Sequence, residues 1–166
     1  MIAVTLDDLN HLEREAAEAS LARCCGSSAW ARSMAAARPF ATLDAMVSAG
    51  DAIWRSLGPA DWLEAFAAHP RIGEQASGSS WSNREQSGML AAADDVRRRL
   101  ASGNAEYLSR FGYIFIVCAT GKTAAELLAA LEARLSNNRA VELQVAAEEQ
   151  RKITGLRLAK LMGCHS

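Results

Sequence analysis

Apolar residues along this chain recur mainly at spacings of three and four, the period that buries one face of a helix. Thr5 with Asp8, and Asn10 with Glu13, read as two successive helix starts, the second a capping box ahead of Leu12, Ala16, Leu21 and Ala22, with Gly26 as the stop. Ser28 can cap a short segment carrying Trp30, Ala31, Met34 and Ala35. That segment closes at Arg38-Pro39, because the residue before a proline is pushed out of the helical region. Thr42 opens the next helix, with Leu43, Met46, Val47, Ile53 and Trp54 near a helical period and Gly50 weakening its interior. Gly58-Pro59 breaks the chain, and residues 60–68 read as one short helix with Trp62 and Phe66 four apart on one face.

Beyond a polar loop, a helix is expected from Asn83 to about Leu100, started by Ser82 as cap and closed by Glu85 three residues on. Its stripe of Met89, Ala92, Ala93, Val96 and Leu100, projected back one turn, lands on Glu85 at the core-facing end. Gly103-Asn104 is expected to separate this helix from residues 105–108. The segment from Phe111 to Ala119 is the most apolar, and its β-branched and aromatic content suits a strand, but no second convincing strand exists to pair with it. It reads as a buried helix or an extended core segment ending at Thr120-Gly121. Thr123 starts a helix through Leu127, Leu128, Leu131 and Leu135 that stops at Ser136-Asn137-Asn138. The last helix runs from about Ala140 to Leu161, with Leu143, Ala147, Ile153, Leu156 and Leu161 inward and Arg157 on or beside the stripe. The whole predicts an all-α fold, one domain over residues 1–166, of roughly seven to eight helices.

Composition supports that picture and narrows the function. With 166 residues and 50% of them apolar, the chain can bury a sizeable core without disulfides or a metal. Its 18 basic and 19 acidic residues are interspersed, which disfavours nucleic-acid and anionic-membrane partners. Cys24-Cys25, Cys118 and Cys164 form no disulfide ladder and no zinc spacing, so reduced thiols in a cytosolic protein are expected. The N-terminal residues lack the basic run and apolar core of a signal peptide, and the run from Tyr113 to Thr120 is too short to span a bilayer.

Chemistry concentrates in two neighbouring stretches, His69-Pro70-Arg71-Ile72-Gly73 and Trp81-Ser82-Asn83-Arg84-Glu85-Gln86-Ser87-Gly88. Together they set an imidazole, a carboxylate and an amide around one loop, the kind of connection on which function is usually placed. The plainer reading is a loop followed by a capped helix. Arg157, beside an apolar stripe, wants an anion; it could also snorkel outward or pair with an acid on another helix. Gly121-Lys122-Thr123 ends like a phosphate loop, but Ile116 stands where the early glycine belongs and no sheet precedes it. A helix start there could still offer N–H groups to a small anion or a ureido oxygen. His11, His69 and His165 are too scattered in sequence to suggest a metal site, and adjacent Cys24-Cys25 does not suit a redox dithiol.

Four motifs in order carry a resemblance: His69-Pro70-Arg71-Ile72-Gly73; Trp81-Ser82-x-x-Glu85-Gln86-x-Gly88; the run from Phe111 to Lys122; and Leu156-Arg157-Leu158-x-Lys160-Leu161. With Leu9-Asn10, Cys25-Gly26, Trp30 and Arg38-Pro39-Phe40, they resemble the 2-oxo-4-hydroxy-4-carboxy-5-ureidoimidazoline (OHCU) decarboxylases of urate breakdown over nearly the whole chain. The resemblance implies an all-α, typically dimeric enzyme without metal or organic cofactor that forms (S)-allantoin. It puts the catalytic groups on His69, Glu85 and Arg157. It puts substrate binding on Pro70, Ser82, Gln86 and main-chain groups of Ile116, Val117, Cys118, Ala119, Thr120 and Gly121, Ser82 being a cap and not a nucleophile. The ending Cys164-His165-Ser166, where eukaryotic members often carry a peroxisomal tripeptide, points to a bacterial cytoplasmic member. Two other readings stay open: a non-catalytic helical interaction module, and a cofactor-free hydrolase or tautomerase acting on a related ureide.

Overall fold

Helices begin where a short polar side chain can take over N–H groups that have no partner in the first turn. The structure, a computed structural model, describes residues 5–69 and 94–163. Among these residues it contains eight helices and no strand: α1 (Leu6–His11), α2 (Arg14–Ala22), α3 (Ser28–Ala37), α4 (Leu43–Ser56), α5 (Pro59–Ala67), α6 (Asp94–Phe111), α7 (Ala124–Leu135) and α8 (Arg139–Leu161). Thr5 and Asp8 form a reciprocal capping box on α1, as Thr123 and Glu126 do on α7. Thr42 caps α4 through the Ala45 N–H, and Asn138 accepts from the Val141 N–H at the start of α8. Pro59 opens α5 at a position where its missing N–H costs nothing.

Several boundaries differ from the sequence reading. Asn10 caps nothing: it lies inside α1, and its side chain exchanges two 2.9 Å hydrogen bonds with the Phe40 backbone. Glu13 precedes α2 without a side-chain cap bond, and α2 ends at Ala22, short of Gly26. The cap of α3 is Ser27, not Ser28; it accepts from Trp30 N, while Ser28 presents its own N–H and hydroxyl to Glu64 of α5. The expected break at Gly103-Asn104 is absent, and α6 runs through both. Gly103 faces α7 so closely that a Cβ there would stand 2.6 Å from Leu131 Cδ2, and Asn104 returns its amide to Leu100 O at 2.9 Å. The expected helix from Asn83 lies mostly outside the described residues.

The fold divides into two compact units, Met1–Ala68 with Ala147–Ser166, and His69–Ala146. In the first, α2 packs on α3, and α3 on α4 and α5. Trp30, Trp54 and Trp62 are buried in it, and each indole N–H finds a carbonyl: Gly50 O at 3.1 Å, Ala147 O at 2.8 Å and Trp54 O at 3.1 Å. That satisfies the polar edge of three large apolar side chains. Gly50 does not interrupt α4; it makes room for Trp30, whose ring would be 3.3 Å from a Cβ there. Arg38 ties two helix ends, donating to Leu9 O in α1, to Leu12 O just after it and to Ala35 O in α3.

In the second unit α6 packs against α7 around Leu100, Tyr107, Phe111, Leu127, Leu128 and Leu131. The segment after α6 is neither helix nor strand, so of the two expectations for residues 111–119 the helical one fails. Phe115, Ile116 and Val117 are buried in it. α8 begins in this unit and ends in the other. Its buried face is Glu142, Ala146, Ala147, Gln150, Thr154 and Leu158; of the expected stripe Ala147 lies on it, whereas Leu143, Ile153, Leu156 and Leu161 are only half-buried. Three polar residues on that face hid it from the periodicity. They are tolerated because Glu142 is fully hydrogen-bonded and Gln150 donates to Thr154 Oγ1 at 3.0 Å.

Candidate active site

The non-helical segment is bracketed by two glycines with positive φ, Gly112 at 86° and Gly121 at 79°, a backbone region that glycine enters without steric cost. Gly112 closes α6 by donating to Leu108 O at 2.8 Å. At the other end Lys122 N reaches back to Ala119 O at 3.0 Å, and Gly121 occupies the third position of that turn with the φ of a type II turn. Between them Ile116 and Val117 are buried, Cys118 and Ala119 half-buried, and Thr120 and Gly121 exposed. The middle of the segment is therefore closed, and its end, from Cys118 to Gly121, is open to a ligand. Gly121-Lys122-Thr123 leads directly into the N-terminus of α7, where backbone N–H groups and the helix dipole suit an anion or a polarised oxygen.

The middle of the segment is held by a buried ionic cluster that the sequence reading missed. Arg134 of α7 donates to Ile116 O at 2.6 Å and, through Nε, to Glu142 Oε2 of α8 at 2.8 Å. Its guanidinium lies 4.5 Å from the centre of the Phe115 ring. Glu142 is completely buried and accepts also from the Tyr107 hydroxyl and from Asn137 Nδ2 at 3.0 Å. Burial, and the bond to Glu142, push the Tyr107 phenol well above its ordinary range, so it stays a donor. A charge pair so removed from water persists only when its remaining lone pairs and protons are also bonded, as these are. The periodicity did hold a signal: counting on from Leu127 and Leu131 lands on Arg134.

The other predicted groups are distributed as follows. His69 is half-buried and follows Ala68, the C-cap of α5. Gly26 approaches the end of that helix so closely that a Cβ there would be 2.6 Å from Ala68 Cβ. Pro70, Ser82, Glu85 and Gln86 lie outside the described residues. Arg157 is half-buried on α8, and among the described residues it makes no hydrogen bond or ion pair. His69 belongs to the second unit and Arg157 to the first. Arg157 acts electrostatically on Cys24 and Cys25, lowering both, but burial wins: the Cys24 thiol is pushed up to about 11 and Cys25 is also raised. Both are protonated at neutral pH and poor nucleophiles. Two surface clefts along α6, one lined by Asp94, Arg97, Arg98 and Ala101 and the other by α6 residues such as Asp95, Ser102 and Glu106 with Glu132 and Leu135 of α7, contain none of the predicted site residues. No helix among the described residues is long and apolar enough to cross a membrane.

The sequence profile of OHCU decarboxylase matches residues 10–159. This chain belongs to the OHCU decarboxylase family. It is 44% identical over 145 residues to the uric acid degradation bifunctional protein TTL of Arabidopsis thaliana, covering 83% of this chain and 45% of that protein. It is 33% identical over 135 residues to the 2-oxo-4-hydroxy-4-carboxy-5-ureidoimidazoline decarboxylase of Mus musculus, covering 78% of this chain and 76% of the relative. The crystal structure of an OHCU decarboxylase in the presence of (S)-allantoin superposes with a TM-score of 0.75 at 42% identity, over 92% of this chain and 99% of that one. The chain spans less than half the length of the three bifunctional uric acid degradation proteins it matches, 45%, 33% and 25% of them. All-α architecture and family membership thus follow the sequence reading.

Proposed function

We propose that this protein converts OHCU to (S)-allantoin and carbon dioxide, acting as one domain in a cytoplasmic homodimer without metal or organic cofactor. The observation that carries the reading is the 42% identity, over 99% of its length, to an OHCU decarboxylase crystallised in the presence of (S)-allantoin. The substrate's own chemistry supports it. OHCU bears a hydroxyl and a carboxylate on one ring carbon, beside a C=N carbon that carries the ureido group. When the bond to the carboxylate breaks, its electron pair forms a C=C bond and the C=N pair moves onto nitrogen, which takes up a proton. The substrate thus provides the electron sink that a cofactor would otherwise supply. The enol that results loses its hydroxyl proton as the ring carbonyl forms, and a proton added to one face of the ureido-bearing carbon gives a single enantiomer.

In this reading His69 shares the hydroxyl proton and orients the carboxylate, since an imidazole titrates near neutrality and works in either direction. Glu85 holds the imidazole or a substrate N–H, and Gln86 pairs with the ring or ureido amide. Pro70 and Ser82 line the pocket, and main-chain groups from Ile116 to Gly121 bind polar edges of the substrate. Arg157 stabilises charge on a carboxylate or carbonyl oxygen.

The test generates OHCU from urate and follows allantoin by circular dichroism, because OHCU also decays unaided to the racemate. Wild type should give a fast one-signed rise, and His69→Asn should slow it by about 10²–10⁴-fold with an unchanged far-ultraviolet spectrum. A loss under tenfold would remove His69 from acid-base duty. Sedimentation equilibrium should give twice the chain mass of 17.8 kDa; a monomer would contradict the homodimer.

A further inference from the structure

We infer that Arg134, held by Glu142 and Tyr107, is a positioning residue that sets the backbone of residues 116–121 in the shape that receives substrate. The inference rests on the proposed decarboxylation, and on that segment forming part of its pocket. With no helix or sheet hydrogen bonds to fix it, the segment takes its conformation from the packing of Phe115, Ile116 and Val117, from bonds to side chains and from its ends. The ends are the glycine turns at Gly112 and Gly121, and the middle is fixed by the 2.6 Å bond from Arg134 Nη1 to Ile116 O.

The guanidinium suits this position for a specific reason. It must donate in two directions at once, to a carbonyl and to a carboxylate, while standing over the Phe115 ring. Its planar fork meets all three demands, and a lysine ammonium does not. Glu142 supplies the counter-charge and, with Tyr107, fixes the rotamer. Because Ile116 O is engaged by Arg134, the groups left to meet substrate lie further along, where Cys118 to Gly121 come to the surface. Arg134 touches no reacting atom. Loosening it should weaken substrate and transition state equally, which raises KM and leaves kcat nearly unchanged.

The double variant Arg134→Met/Glu142→Gln removes the clamp without leaving a lone buried charge. Steady-state kinetics with OHCU generated in situ should show KM raised by about tenfold or more, the cost of one or two misplaced hydrogen bonds, with kcat within about threefold of wild type. Arg134→Lys keeps the charge beside Glu142 but loses the fork; it should show the same split and decides the matter if the double variant does not fold. A folded variant with wild-type KM would overturn the inference, as would failure of both variants to fold, which would assign the cluster to stability alone. Failure of the functional reading looks different: wild type itself would then produce allantoin no faster, and no more enantioselectively, than the protein-free control.

Discussion

Two arginines on the C-terminal helices show opposite uses of one side chain. Arg134 is buried and bonds to Glu142, to Ile116 O and, at 3.5 Å, to the Tyr107 oxygen. Arg157 is half-buried, and among the described residues no acid or carbonyl receives it. A guanidinium that is fully engaged spends its hydrogen bonds on the protein's own shape. One without a protein partner among the described residues retains them for an anion. In this chain the first shapes the segment expected to bind substrate, and the second is the cation expected to meet the substrate's developing charge.

The contrast breaks most visibly when Arg134 is truncated. Arg134→Ala leaves Glu142 charged, fully buried and short of its main donor, and should cost about 3–5 kcal/mol in urea or thermal unfolding. A loss under about 1 kcal/mol would mean that water or a neighbour replaces the guanidinium easily, and that the clamp is weak.

A second, intermediate effect belongs to the surroundings of Arg157. Cys24 ionises near 11 in the folded protein against 9.0 for an ordinary thiol, so above pH 9 the unfolded chain binds fewer protons than the folded one. Stability is therefore fully present below pH 9 and declines as the pH rises toward about 11, by on the order of 2 kcal/mol from this thiol. Cys24→Ala should flatten that alkaline decline in a series of urea melts. An unchanged slope would show that burial does not govern this thiol.

How far the sequence revealed these features depended on whether periodicity or polarity carried them. Capped starts such as Thr5, Thr42 and Thr123 were legible because the cap is a local bond between residues three apart. Gly103 was misread because glycine weakens an isolated helix, whereas here it admits Leu131 from a helix distant in sequence. The buried face of α8 escaped because periodicity counts apolar residues, and half of that face is polar and satisfied. Arg134 and Glu142 were missed for the same reason: each occupies an inward position, and only the fold shows the two to be partners. In the N-terminal half, Asn10, Trp30, Arg38 and Phe40 belong to the family likeness, and their bonds to one another and to nearby backbone are structural. That half of the likeness therefore reports fold, and the statement about chemistry rests on His69, Glu85, Gln86 and Arg157.

The smallest stability effect is expected where the functional effect is large. Arg157→Leu removes a cation with no protein partner among the described residues and places an apolar side chain on a half-buried position, so unfolding free energy should stay within about 1 kcal/mol of wild type or rise. Circular dichroism of this variant reads both properties at once, thermal unfolding in the far ultraviolet and the handedness of allantoin formed from OHCU. Arg157→Leu should melt like wild type while its allantoin signal falls toward the protein-free trace, and wild type should give a rapid one-signed rise. A variant that melts early yet retains full enantioselective turnover would contradict this expectation, and would make Arg157 a structural arginine like Arg134.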